Sequence, residues 1–292
     1  MRRNWTRRRL LVAVAGTAGL AGCDRLRRGG PGRETVTDDR PARDKAATLN
    51  ELVDAAEQTA ADVETWRQER IETVREYATD ETLVDGSQLE RQTALDTEFD
   101  DRPDDIYHLH VVNYDTAVIL ASTNPAKESE PLNTREAPWQ NDSLEYGNDD
   151  VFVSTATEAL GRSLLSMVTP IDTDGDRQLV LLAQMDLDEY GRSMTVPPIA
   201  DGIKVVNGAG RIVTSSYEIS ALDRNDGDLF IYQGGEDAPV LQQGLAGEAG
   251  YEKHPEADVA DDDTAVLPVA YAPVTTAEWV VIVHERAPDE WT

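Results

Sequence analysis

The chain writes one β-hairpin twice. Residues 111–123 read VVNYDTAVILAST and residues 205–216 read VVNGAGRIVTSS. Counted from Asn113 and Asn207, Val118 and Ile212 both lie at +5, and Ser122 and Ser216 both lie at +9. In each copy, β-branched residues flank a polar or glycine-rich turn, the pattern of two short strands closed on each other. The echo reaches the end of each half. Pro170-Ile171 and Pro273-Val274 both end a strand, in SLLSMVTPI and AVLPVAYAPV, and a last apolar strand follows shortly, in QLVLLAQMDL and EWVVIVHE. A matched beginning and end in the same order calls for two similar α/β units in tandem.

A long helix precedes them. Thr48-x-x-Glu51 forms a capping box. Leu49, Leu52, Val53, Ala56, Ala60, Val63, Trp66, Ile71, Val74 and Ala78 then keep helical spacing. That apolar stripe suits pairing with a second copy or packing on the chain's own sheets. A second box, Ser87-x-x-Glu90, starts a shorter helix expected to carry Leu89, Ala94, Leu95 and Phe99 on its apolar face. Strands are expected in IYHLHVVN, AVILAST and DVFVSTA, and a hairpin over DTDGD at 172–176. The stretch YGRSMTVPPIADG, with its prolines, separates a first unit at 46–196 from a second at 197–292. PVLQQGLAGEAG reads as a short helix within the second.

The first 22 residues read as an address. Arginines precede a short apolar run from Leu10 to Leu20, which is too brief to cross a bilayer and suits an export signal. Thr6-Arg7-Arg8 before leucines resembles a twin-arginine signal. Leu20-Ala21-Gly22-Cys23 resembles a lipobox, and Cys23 is the single cysteine of the chain, the expected point of lipidation on the outer face of the membrane. Residues 23–45, rich in Arg, Gly and Pro, form a flexible tether.

Charge narrows the partners. The chain holds 27 basic and 56 acidic residues. Five arginines and no acid fall in the first 22, so the remainder carries 22 against 56, a net −34. Such a surface repels nucleic acid and anionic lipid and suits a halophilic cell, where salt screens the self-repulsion.

Together VVNYDTAVILAST, APW at 137–139, DVFVSTA, LSMVTPI, VVNGAGRIVTSS, LAGEAGY and VAYAPV…WVVIVHE resemble the double Cache domain, the extracellular PAS-like sensor module of chemoreceptors and sensor kinases. The likeness covers about residues 46–287. It implies an α+β fold: a long N-terminal helix followed by two tandem modules with antiparallel sheets. It also implies a small organic ligand (an amino acid, carboxylate or amine) in the first, membrane-distal module, with binding passed through the long helix.

One amino-acid-binding pattern of that family has an Arg before a Trp-Tyr pair, with a later Tyr and Asp. Here the corresponding residues are Arg135, Trp139, Tyr146 and Asp172, with Gln140 where the paired Tyr would stand. Arg135 would clamp a carboxylate, Trp139 offer an aromatic face and Asp172 meet an amine. The chain ends at HERAPDEWT without an apolar segment, so signalling is expected through a separate transmembrane receptor or sensor kinase. The alternatives are a solute-capture lipoprotein serving a transporter, or a non-catalytic surface interaction protein.

No catalytic constellation, cofactor or metal site is expected. G-x-S-x-G, the P-loop and G-x-G-x-x-G are missing from the sequence. His108 and His110 share a strand face without an identifiable third metal ligand. DTDGD has Gly at its fourth position and Ala183 where a calcium loop needs Glu, and reads as a turn. DVADDD at 258–263 is a solvated acid run, and Asn141-Asp142-Ser143 marks an exposed loop.

Overall fold

The computed structural model describes residues 42–127, 131–132, 151–159, 161–171, 179–217, 235–255 and 266–285. Contacts divide the chain into Met1–Arg40 and Pro41–Thr292, and every described residue lies in the second unit. Among the described residues, no helix is long and apolar enough to cross a membrane.

Helix α1 runs Ala42–Ala78. It starts six residues before Thr48, because ARDKAA at 42–47 consists largely of good helix formers and carries the turn through the expected cap. Leu52, Ala56, Ala60, Val63, Trp66, Val74 and Ala78 are buried. They lie against strands of both sheets, so the apolar stripe is covered by the chain's own sheets. Helix α2, Glu81–Asp85, was not expected; Asp80 caps it by accepting from the amides of Thr82 and Leu83. Helix α3, Gln88–Asp100, has the reciprocal Ser87–Glu90 box.

Leu89, expected on the apolar face of α3, is 76% exposed. Its place against α2 is taken by Arg91, whose guanidinium donates to the carbonyls of Leu83 and Val84 at 2.8 and 2.9 Å. These are carbonyls a helix of five residues cannot satisfy alone.

The first sheet holds β1 Ile106–Asn113, β2 Ile119–Ser122, β3 Phe152–Val153, β4 Thr157–Ala159, β5 Arg162–Ile171 and β6 Leu179–Asp186. Its order is β2-β1-β6-β5-β3, with β4 also on β5. After α4, Leu187–Ser193, the second sheet holds β7 Ala200–Asn207, β8 Ile212–Ser215, β9 Gly250–Pro255, β10 Val266–Val274 and β11 Trp279–Glu285, in the order β8-β7-β11-β10-β9. Helix α5, Pro239–Leu245, interrupts the second set. All pairings in both sheets are antiparallel.

The repeat is closer than the sequence count suggests, and offset by one residue. Asn113 faces Leu179, which faces Ile171; Asn207 faces Trp279, which faces Val274. Val112 pairs with Ile119 and Val206 with Ile212, and both hairpins bulge at the preceding position. The amide of Asn113 donates to Val118 O and that of Asn207 to Arg211 O, both at 2.9 Å. Left-handed backbone falls at Ala117 (φ 51°) in one turn and Gly210 (φ 72°) in the other. The first turn therefore has one extra residue.

In consequence Ser122 matches Ser215, and Ser216 matches Thr123. Thr123 and Ser216 each accept, through the side-chain hydroxyl, the amide of Leu109 or Ile203 at 3.0 and 2.9 Å. Each also donates its own amide back to the carbonyl of the same residue at 3.0 Å. The repeated hydroxyl closes the strand end.

Helix α1 is fastened to both sheets within two turns. Glu64 Oε1 accepts from the amides of Thr275 and Thr276 in the β10–β11 turn. Arg70 Nε donates to both oxygens of Asp105, just before β1, at 3.0 and 2.9 Å, and the Trp66 indole N–H joins them. Helix α4 forms the junction between the sheets. Asp186 caps it, accepting from the amides of Asp188 and Glu189, and pairs with Arg162. Thr214 of β8 donates its hydroxyl to Leu187 O, and Ser163 of β5 donates to Val213 O at 2.7 Å. Gly191 lies so close to the Ser215 carbonyl that a Cβ would collide with it.

Candidate functional site

Alternation along β1, β5 and β6 sends one set of side chains toward α1 and the other to the outer face of the first sheet. Strand register orders that outer face into rows. Ile119, Val112, Val180 and Pro170 form the first, at the turn end. Ser122, His110, Leu182, Val168 and Phe152 form the second. His108, Gln184 and Ser166 form the third. Val112, Ile119, Val168, Val180 and Leu182 belong to one apolar cluster with Ala117 and Leu132, and Tyr114 and Phe152 pack on it. Apolar surface thus grades into hydrogen-bonding groups across one face.

His110 is the centre of the polar end, at 2% exposure. Its Nδ1 lies 2.8 Å from Ser122 Oγ, and its Nε2 3.4 Å from Gln184 Oε1. Burial drives its pKa down to about 4, so the ring is neutral at ordinary pH. Ser122 Oγ gives its one hydrogen to Asn124 O and accepts from the Asn124 amide, each at 2.9 Å. A neutral imidazole carries one hydrogen, which serves either Ser122 Oγ from Nδ1 or Gln184 Oε1 from Nε2. Gln92 of α3 seals the adjacent edge, donating to Ser122 O and accepting from its amide, both at 2.9 Å.

His108 is half-buried beside it, with ring centroids 5.9 Å apart. Burial lowers its pKa, helped by the charges of Arg102 and Arg162. Both cations are held over aromatic rings, Arg102 over Phe99 at 3.4 Å and Arg162 over Tyr107 at 5.0 Å. The two histidines share a face, as alternation predicts. Among the described residues no cluster of three or more His, Cys, Asp or Glu is arranged to hold a metal ion.

The matching face of the second sheet is occupied. Val206, Ile212, Val269, Tyr271, Val280 and Ile282 pack against Ala238, Val240 and Leu241 of α5 and its cap. Gly244 sits on Val280 with no room for a Cβ, and the Tyr271 hydroxyl donates to Gln243, which donates in turn to Glu252 at 3.1 Å. Lys204 stands where the first sheet has His110, and His284 where it has Gln184.

The four expected ligand contacts, Arg135, Trp139, Tyr146 and Asp172, lie outside the described residues, as do Cys23, DTDGD, DVADDD and the Asn141 sequon. The described floor instead brings forward His110, Ser122 and Gln184. The His-x-His alternation hinted at the first; the other two reach it across strand pairings that local sequence does not reveal.

No family model matches the chain. Over 235 residues, 78% of this chain and 27% of the relative, it is 28% identical to the transducer protein BasT of Halobacterium salinarum. The chain spans about a quarter of the length of the curated relatives it matches. Its fold is similar to that of the sensory domain of the Campylobacter jejuni chemoreceptor Tlp3 with isoleucine bound: TM-score 0.54, 12% identity, 83% of this chain and 94% of that one. It is equally similar to the ligand-binding domain of the Pseudomonas aeruginosa amino acid chemoreceptor PctC in complex with GABA: TM-score 0.54, 16% identity, 81% and 99% covered. The α+β fold, with its long N-terminal helix and two antiparallel sheets, is the one these chemoreceptor sensory domains share.

Proposed function

We propose that the chain is a non-catalytic sensory domain that binds a small amino-acid-like molecule on the outer face of the first sheet. The observation that carries the reading is the contrast between two matched faces. The second packs on α5, whereas the first, buried as well, sets the neutral polar groups His110, Ser122 and Gln184 beside Val112, Val168, Val180 and Leu182. A ligand with an apolar side chain and a polar head matches that gradient. In this reading Arg135 takes the carboxylate, Asp172 the amine, and Trp139 and Tyr146 the remaining surface. The isoleucine and GABA held by the two solved domains support this class of ligand, and the transducer relative supports a sensory role.

The proposal includes export, lipid attachment at Cys23, a tether over 23–45, a ligand-binding unit at 46–196, a membrane-proximal unit at 197–292, and output through a separate transmembrane receptor or sensor kinase. A thermal-shift screen in high salt against amino acids, carboxylates and amines tests the binding. Ligand at 100 times its Kd adds ~2.7 kcal/mol of stability, and the shift disappears in Arg135→Ala and in Gln184→Ala. Silence across all three classes refutes the reading. For the anchor, Cys23→Ser releases the protein from the membrane fraction; unchanged retention refutes lipid attachment.

A further inference from the structure

A groove of about 260 Å³ opens between α1 and the junction helix α4 with the residues that follow it. Helix α1 lines it with Asp62, Thr65 and Glu69, and α4 with Tyr190 and Ser193. Among the described residues the lining holds two carboxylates and no cationic side chain. Asp62 and Glu69 stand two helical turns apart, about 10 Å along α1. The volume suits a ligand of a few heavy atoms, just under the usual range of small-molecule sites.

Tyr190 is 9% exposed, and among the described residues its hydroxyl has no hydrogen-bond partner. The hydroxyl oxygen is not enclosed by protein, so a ligand in the groove can reach it. A buried hydroxyl left open in this way calls for a partner. Burial pushes the phenol pKa up, and the charges of Asp62 and Asp105 add to the rise, so the group stays neutral. Around it the hydroxyl hydrogens are already committed. Thr59 and Thr65 donate to the carbonyls of Ala55 and Ala61 at 2.8 and 2.9 Å, and Ser193 donates to Tyr190 O at 2.6 Å. Each of these three hydroxyls can therefore only accept. Asp62 takes one bond, from Gln58 at 2.9 Å, and keeps further acceptor sites. Neither Asp62 nor Glu69 is in an ion pair among the described residues. Such a lining accepts hydrogen bonds and repels anions; what it lacks is a positively charged donor.

We infer a second binding site here for a short aliphatic diamine. One ammonium donates to Asp62 and to the Tyr190 hydroxyl oxygen, the other donates to Glu69, and the carbon chain lies beside Met194, half-buried in the same lining. Because the walls belong to α1 and α4, an occupied groove braces the long helix against the link between the two sheets. The site does not rest on ligand binding at the outer face of the first sheet.

Titration calorimetry on the whole protein at constant ionic strength tests this, with cadaverine as probe, pentylamine as its single-charge control and valerate as its charge-reversed control. Cadaverine binds one-to-one, pentylamine binds more weakly and valerate does not bind. Asp62→Asn, which keeps an acceptor for Gln58, weakens cadaverine at least about tenfold, the loss of one charge-assisted hydrogen bond. Tyr190→Phe weakens it about fivefold and leaves the unfolding midpoint unchanged, because the hydroxyl serves no partner within the described protein. Asp172→Ala, at the amine contact proposed for the first sheet, leaves cadaverine binding intact. Loss of binding in Asp172→Ala assigns the amine to that first site and overturns the inference. So does cadaverine binding unchanged in Asp62→Asn or in Tyr190→Phe, or pentylamine or valerate binding as tightly as cadaverine. No binding up to about 10 mM, where a ~1 mM site would be nearly full, overturns it as well.

Discussion

The indole of Trp66 lies flat on the ring of Tyr190, with centroids 4.1 Å apart and planes inclined by 17°. Trp66 belongs to α1 and Tyr190 to the junction helix α4, so the stack joins the long helix to the link between the two sheets. The same indole donates its N–H to Asp105, which Arg70 also holds.

Two variants separate these roles. Trp66→Ala loses a buried aromatic and its hydrogen bond together, and is expected to lower unfolding free energy by about 3–5 kcal/mol. Trp66→Phe keeps a ring on Tyr190 and leaves Asp105 to Arg70, for a loss of about 2 kcal/mol. Equilibrium denaturation of the three proteins in one high-salt buffer gives both differences.

Protonation of His110 should be visible as a pH dependence of stability. Its folded pKa of about 4 lies below the unfolded value near 6.5, so between these limits the unfolded chain binds more protons. The stability from keeping the ring neutral is complete above pH ~6.5 and is lost as pH falls toward 4, by about 3 kcal/mol in all. His110→Gln removes this contribution. The difference between wild type and variant, followed by denaturation from pH 7.5 to 4.5, shrinks or reverses across that window; a difference independent of pH would refute the assignment.

The matched hydroxyls give a test of the repeat itself. Thr123→Ala and Ser216→Ala each take the side-chain acceptor from one strand-end amide, for about 1 kcal/mol. The two share no partner, so the double variant should lose the sum, about 2 kcal/mol. Thr123→Ser should retain nearly all of the stability, because only the hydroxyl is used.

Left-handed backbone at Gly210 makes a further distinction. Gly210→Ala places a Cβ at φ 72° and is expected to cost about 1 kcal/mol, whereas Gly210→Asn, a residue that visits this region, costs less than half as much. The first hairpin accepts Ala117 at the same place, where the residue is 2% exposed and its carbonyl takes the Leu132 amide at 2.9 Å. Melting temperatures of the two variants, measured in parallel, decide it.

How far the fold was legible depended on the range of the signal. The stripe from Leu52 to Ala78 is local periodicity, and it holds along α1. The echo of one hairpin in the other was also readable, but counting from the asparagines placed Ser216 against Ser122. Only strand pairing exposes the extra residue in the first turn and moves Ser216 to Thr123. Leu89 misled because a capping box marks where a helix starts without saying which side meets the core; Arg91 holds that side through carbonyls of α2. At the candidate site, alternation put His108 and His110 on one face. Ser122 and Gln184 meet His110 through neighbouring strands, 12 and 74 residues away, beyond any local pattern.

The fastening of α1 at Glu64 and Arg70 has a mechanical consequence. Six residues of helix span about 9 Å, so one stiff segment grips a turn of the second sheet at one end and the threshold of β1 at the other. If the first sheet shifts while both grips hold, the helix cannot absorb the motion by bending over so short a length. It pivots about this pair of contacts, and Leu52, Ala56 and Ala60, buried against the sheets before Glu64, carry the motion into them.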